Sequence, residues 1–197
     1  MKLDPAHLRG CLLADPDTGH FVNEEGVPDT ALTPAAVLVP IVLRGDQQTM
    51  LLTQRTAHLR DHAGQISFPG GRVEESDLSP LDTALRETEE EIGLARCHVE
   101  ALGYLPEYRT GTGFRVTPVV ALVTPPFEVK ADPFEVAEVF EVPLGFLLNP
   151  ENHQRHTLHY RGALRSYFAM PYNDYFIWGA TAGMIRSLSQ RLGYLEA

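Results

Sequence analysis

Four glutamates, Glu87, Glu89, Glu90 and Glu91, and one arginine, Arg86, fall within the stretch TALRETEEEIGL at residues 83–94. Carboxylates spaced this closely repel one another and raise one another's affinity for protons. Two arrangements tolerate the crowding. One is a water-facing acidic stripe, the ordinary fate of a charge run on a helix. The other is a hard divalent cation, Mg2+ or Mn2+, which prefers oxygen ligands. At about 100° per residue, Glu87 and Glu91 stand only about 40° apart, with Glu90 about 60° to the other side of Glu87. Three carboxylates thus share one edge of the helix while Glu89 points elsewhere, and Arg86 is close enough to Glu90 to hold its carboxylate.

The residues just upstream weigh between these two readings. FPGG, Phe68 to Gly71, must bend sharply and bring its backbone close to a neighbour, which glycine permits and other residues resist. Alone it is a plain tight turn. Leading into a carboxylate helix, it can add the Gly71 carbonyl to the oxygen set, and the pair favours the metal.

The elements that must position these groups carry their own marks. Ser79 is placed to cap a helix, Pro80 suits its first position, Asp82 makes an approximate capping box and Gly93 is a natural stop. The spacing predicts a helix over about 80–92, with Leu81, Ala84, Leu85, Thr88 and Ile92 on the face that packs against a sheet. Residues 35–44 and 49–55 read as strands joined around Gly45-Asp46. The Gly-rich stretch 59–77 is too long for an idle turn and reads as a functional loop. Residues 98–108 and 114–124 read as strands around RTGTG, 135–144 as a strand running into a short helix, 156–172 as a hairpin and 180–192 as a closing amphipathic helix. An N-terminal helix over 3–14 and a polar link to about Pro34 precede them, so residues 1–34 are expected to pack on a domain formed by 35–197. Mixed strands with few helices point to an α/β or α+β sandwich.

Composition bounds the partners. A net charge of −10 argues against a nucleic-acid partner, which calls for a basic footprint, but admits an anionic small molecule if cations neutralise the site first. No apolar run approaches the ~20 residues that cross a bilayer, so no membrane partner is expected. The two cysteines, Cys11 and Cys97, form no CxxC pair, which fits a reducing cytoplasm. Oligomeric state is not legible.

Gly71, Asp77 and RETEEEIGL together resemble the Nudix box: glycine, five residues, an acid, a spacer, then Arg-Glu-U-x-Glu-Glu-x-Gly-U, where U is aliphatic. Arg86, Glu87, Glu90, Glu91, Gly93 and Leu94 fill their places. Thr88 stands in an aliphatic slot, Asp77 replaces the usual glutamate, and the spacer before Arg86 has eight residues rather than seven. The longer spacer is typical of the coenzyme A pyrophosphatase branch. LLTQRTAHLRDHAGQISFPGG, Leu51 to Gly71, is similar to that branch's upstream motif through Arg55, Ala57, Arg60, Gly64 and Phe68, with Thr56 in place of serine.

The resemblance implies a Nudix fold, a mixed sheet between helices with a catalytic loop-helix-loop. It also implies metal-dependent hydrolysis of the diphosphate of coenzyme A or its acyl or oxidised forms, giving 4′-phosphopantetheine and 3′,5′-ADP. By the same resemblance Glu87 and Glu91 are direct metal ligands, Glu90 a ligand or the base that takes a proton from water, and the Gly71 carbonyl a weaker ligand. Glu135 and Glu138 are remote candidates for the base. Arg86 organises the glutamates. Arg55 and Arg60 are candidates for substrate phosphates, with a salt bridge to Asp61 or Asp77 as the alternative use, and His62 and Gln65 are candidates to orient substrate. Two other functions stay open: a Nudix hydrolase of another nucleoside diphosphate such as ADP-ribose, and a non-catalytic nucleotide sensor.

Overall fold

TPAAVLVPIVLR is apolar on both of its alternating faces, and as β2 (Thr33–Arg44) it becomes the centre of the sheet. Ala35, Val39 and Ile41 enter one core, while Ala36, Leu38 and Val42 enter the smaller cores on the opposite face. The computed structural model describes residues 2–16, 19–25, 27, 31–58, 63–160 and 162–195. The remaining strands of the main sheet are β1 (Phe21–Asn23), β3 (Gln47–Arg55), β4 (Ile66–Ser67), β5 (Gly70–Arg72), β6 (Val99–Tyr104), β7 (Glu107–Arg109), β8 (Phe114–Val123) and β9 (Val136–Pro143). β2 runs parallel to β8 and antiparallel to β3 and β5, and β9 closes on the far side of β3.

Among the described residues, four α-helices flank this sheet: α1 (Pro5–Cys11), α2 (Pro80–Ile92), α3 (Leu144–Leu148) and α4 (Gly179–Arg191). Ala84 and Ile92 of α2 pack on one face. Leu8 of α1, Leu144 and Leu147 of α3, and Met184, Ile185 and Leu188 of α4 pack on the other. A second, antiparallel sheet of β10 (Gln154–Tyr160), β11 (Ala163–Tyr172) and β12 (Tyr175–Trp178) adds Met170 and Ile177 to that larger core. The architecture is the expected mixed α+β sandwich.

Several elements differ in detail from their sequence reading. The first helix covers Pro5–Cys11 rather than 3–14, because Leu13 leaves it to exchange two backbone hydrogen bonds with Tyr104, at 2.8 and 2.9 Å. Gly103 allows that approach, since a Cβ there would lie 2.8 Å from the Leu13 carbonyl. The stretch 98–108 divides into β6 and β7 on either side of Leu105-Pro106, where proline supplies no N–H. The polar link before Pro34 contains β1, parallel to β7, and YFIW forms β12, an unanticipated third strand of the 156–172 hairpin.

The N-terminal segment and α4 meet at Tyr108. Its buried hydroxyl bonds the Glu24 carboxylate, and burial with that neighbouring charge pushes its pKa far up. The ring lies against Gly183 of α4, where an added Cβ would fall 2.2 Å from the hydroxyl and 2.5 Å from the adjoining ring carbon. A rigid buried ring cannot move aside as a flexible side chain does. Gly183→Ala is therefore expected to destabilise the protein by about 2–3 kcal/mol through overpacking, read as a lower denaturation midpoint at unchanged m-value. A midpoint equal to wild type would mean that helix and ring are not held in this contact.

Candidate active site

α2 begins and ends as its sequence requires. Ser79 Oγ accepts from the Asp82 N–H at 3.1 Å, Pro80 occupies the first turn, and Gly93 closes the helix in the left-handed region at φ 67°. The capping box is incomplete, for the Asp82 carboxylate accepts from the Leu78 N–H, at 3.3 Å, and not from that of Ser79. The buried face is also rotated from the apolar stripe. Thr83, Ala84, Thr88, Glu91 and Ile92 are buried, whereas Leu81 and Leu85 are only half-buried. Thr83 turns inward because its hydroxyl donates to Asp77 at 2.8 Å, and Thr88, in the aliphatic slot, donates to the Ala84 carbonyl at 2.6 Å.

Arg86 gathers the site. Its Nε and Nη2 each donate to Asp77 at 2.9 Å, Nη1 donates to Glu87 at 2.9 Å and Glu90 at 3.2 Å, and Nη2 also reaches the Arg72 carbonyl at 3.1 Å. The Asp77 side chain is 2% exposed, and this fork holds its carboxyl far below the usual carboxylate range. Asp77 is thereby taken by Arg86 and is no partner for Arg55, which pairs instead with Glu91 at 3.7 Å. Glu89 points away from the cluster, bonded to Arg96 at 2.9 Å.

Glu87 and Glu91 face the glycine turn. Glu91 is 5% exposed and accepts from the Gly70 N–H at 3.1 Å. Burial pushes its pKa up to about 8, against the pull of Gly70 and Arg55 and with a further push from Glu87 and Glu135. The Glu87 pKa is raised as well, first by burial and then, against Arg86, by Glu90 and Glu135. The Glu87 carboxylate occupies the space where a Cβ on residue 71 would sit, 2.5 Å away. Glu90 stays largely in water, tethered by Arg86.

Of the remaining candidates, Arg55 receives its fixed position from β3 and from its backbone N–H to the Gln65 carbonyl at 2.9 Å, which also sets Gln65 beside it. The buried Arg55 Nε has no hydrogen-bond partner among the described residues. Arg60 and His62 lie outside the described residues. The charge of Glu135 acts on both Glu87 and Glu91, while Glu138 is drawn off by the Tyr175 hydroxyl, which donates to it at 2.8 Å. Sequence reading did not assign Asp77 to Arg86. The lengthened spacer hid that pairing, although an acid nine residues ahead of a helical arginine was a signal for it.

A family model described as the NUDIX domain matches residues 32–161. The chain belongs to the Nudix family. Nudix proteins described as the uncharacterized Nudix hydrolase NudL, from Escherichia coli K12 and from Shigella boydii, are 45% identical to this chain over 159 residues, covering 81% of it and 82% of theirs. A MutT/nudix family protein from Enterococcus faecalis has a TM-score of 0.52 at 21% identity, over 84% of this chain and 63% of that one, a likeness of fold alone. The protein is thus a Nudix hydrolase, and such hydrolases generally need a divalent metal ion.

The site's chemistry fits such an ion. Its donors are hard carboxylate oxygens, two of them in residues whose burial and mutual repulsion leave negative charge under-compensated. Among the described residues no three acidic, histidine or cysteine side chains yet converge as a finished ligand set. Arg86 and Arg55 hold the acids meanwhile.

Adjacent glycines separate fold from site. Gly70 has φ 151°, and a Cβ there would strike the backbone of Ala36 and Val37 at 2.4 and 2.6 Å, so Gly70→Ala is expected to impair folding. Gly71 has no such positive φ, and the nearest atoms to its Cβ would all be those of the Glu87 carboxylate, a side-chain end and not backbone. Gly71→Ala should therefore keep the thermal midpoint within a few degrees of wild type while lowering turnover about 10- to 100-fold by displacing Glu87. Equal losses of stability in both variants would remove the distinction.

Glu91 also sets a pH dependence. Its pKa is raised above the ordinary value of 4.5 on folding, so its contribution to metal-free stability is full below about 4.5 and is lost as pH rises through about 8. In EDTA, Glu91→Gln is expected to raise Tm by several degrees at pH 8.5 and little at pH 5. A difference from wild type that does not grow with pH would contradict the buried, under-compensated carboxylate.

Proposed function

We propose that the protein is a metal-dependent pyrophosphatase that hydrolyses the diphosphate of coenzyme A, or of its acyl or oxidised forms, to 4′-phosphopantetheine and 3′,5′-ADP. The observation that carries this reading is the junction of two motifs at one place. Arg55, from the upstream stretch similar to coenzyme A pyrophosphatases, stands 3.7 Å from Glu91 of the Nudix helix. A guanidinium whose Nε has no hydrogen-bond partner among the described residues, beside a carboxylate cluster, suits one oxygen of a substrate phosphate.

Glu87 and Glu91 would hold Mg2+ or Mn2+, with Glu90 and the Gly71 carbonyl as further oxygen donors. The ion, when bound, supplies charge neutralisation of the diphosphate and a lowered pKa for the attacking water. Arg86 keeps Glu87 and Glu90 oriented and leaves them free to move little during the reaction. Arg55, with Arg60, binds phosphate oxygens, and Gln65 and His62 orient the substrate. Glu90 or Glu135 accepts the proton of the attacking water; Glu138, engaged by Tyr175, is the weaker candidate.

Purified protein incubated with coenzyme A and with ADP-ribose, each with Mg2+, Mn2+ or EDTA, tests this reading by chromatography of the products. The expected outcome is metal-dependent release of 3′,5′-ADP from coenzyme A, reduced at least about 100-fold in Glu87→Gln and Glu91→Gln. Turnover of ADP-ribose alone would keep the metal site and discard the coenzyme A assignment. Turnover of neither would favour a nucleotide sensor.

A further inference from the structure

Most aromatic rings in the molecule are already engaged. Tyr175 stacks on Phe140 at 3.7 Å, Tyr167 lies between His156 and Trp178, and Phe114 is covered by the Arg72 guanidinium at 5.5 Å. Phe134 differs. It is 65% exposed, and its described ring contact is a tilted one, with His58 at 5.1 Å and 59° between planes, which leaves a face of the ring in water.

The exposed ring does not sit on a loose loop. The segment before β9 is tied to the C-terminal end of α2 by the Lys130 N–H to the Ile92 carbonyl at 2.7 Å and the Asp132 N–H to the Glu91 carbonyl at 2.8 Å. It is tied to the end of β3 by the Thr56 hydroxyl to the Phe134 carbonyl and the Thr56 N–H to the Glu135 carbonyl, both at 2.9 Å. Asp132 Oδ1 accepts from the Phe134 N–H at 2.9 Å. Phe134 therefore stands between Thr56, next to Arg55, and Glu135, whose charge acts on Glu87 and Glu91. A ring this exposed offers its π-face to a flat heteroaromatic partner.

We propose that Phe134, edged by His58, is the stacking platform for the heteroaromatic base of the substrate's nucleotide half. The inference rests on the reading of the site as one that takes a nucleoside diphosphate derivative. The local charge selects a base over a phosphate: Asp132, bonded to the Phe134 N–H, would repel an anion, whereas a neutral base brings a π-face to the ring and an N–H donor to that acid. Backbone anchoring on both sides means that the segment carrying the ring needs no ordering when the base arrives. The platform would fix which end of the substrate lies toward the end of β3.

Calorimetric titration of ADP and of inorganic pyrophosphate, each with Mg2+, into wild type and into Phe134→Ala, Phe134→Leu and Phe134→Trp tests the assignment. Both probes carry a diphosphate, and only ADP carries a base. Phe134→Ala and Phe134→Leu are expected to weaken ADP about tenfold and leave pyrophosphate unchanged, with Phe134→Trp restoring wild-type affinity. Unchanged ADP affinity, or an equal loss of both probes, in Phe134→Ala would overturn the platform and leave the reading of the site intact. Wild-type protein that binds neither probe would overturn that reading and the platform with it. The ring is exposed, so equal thermal midpoints are expected for all four proteins.

Discussion

The guanidinium of Arg86 is the junction on which the site depends. One planar group grips Asp77 with two donors, Glu87 and Glu90 with a third, and the Arg72 carbonyl, and so ties helix, loop and strand β5 together. Lysine, with a single ammonium on a flexible stem, does not present that fork. The partners reinforce one another: Asp77 is held ionised by Arg86, and Arg86 is held protonated by Asp77 and Glu87. The contribution of Asp77 is present above its ordinary carboxylate range and is lost as pH falls below it, the reverse of Glu91. The two carboxylates therefore bound the metal-free protein's stability from opposite sides of the pH scale.

Close approach is the second constraint, and it follows from the first. Once Arg86 has drawn Arg72 toward α2, the two residues before it must lie between a strand and a helix. Gly70 fills a backbone conformation and a gap against β2 that no side chain tolerates, and Gly71 leaves room for a carboxylate. A bulkier turn would keep the sheet and helix apart and leave Glu87 and Glu91 facing water. They would then be the solvated stripe that a run of glutamates ordinarily forms.

Much of this was legible because it is local. Helix caps, the apolar runs of β2 and β3 on either side of Gly45-Asp46, and the order of elements from 35 to 192 are written in neighbouring residues, and the box motif from Gly71 to Leu94 carries the family. The failures are nonlocal or competitive. Leu81 and Leu85 look like core by spacing, but Thr83 wins the inward position by its bond to Asp77, so the helix is rotated. The first helix stops early because Leu13 is claimed by Tyr104, ninety-one residues on. Arg55 and Glu91, or Tyr108 and Gly183, are paired by the fold, and no spacing rule joins them. Glu135 and Glu138 were equivalent in sequence and are separated only by what stands beside each.

An acidic chain must still receive an anion, and the distribution of charge indicates how. Arg55 and Arg86 already stand among the acids, and Glu87 and Glu91 remain protonatable above the ordinary carboxylate range because these cations do not fully offset burial. On the proposed reading Glu91 would give up a proton before its oxygens served as ligands, so cation binding at this helix and proton release would be one linked event. The repulsion among the carboxylates thus has a use. It is a penalty in the metal-free protein that the proposed ion would relieve, and it would make the site less repulsive to a diphosphate only when that ion is bound.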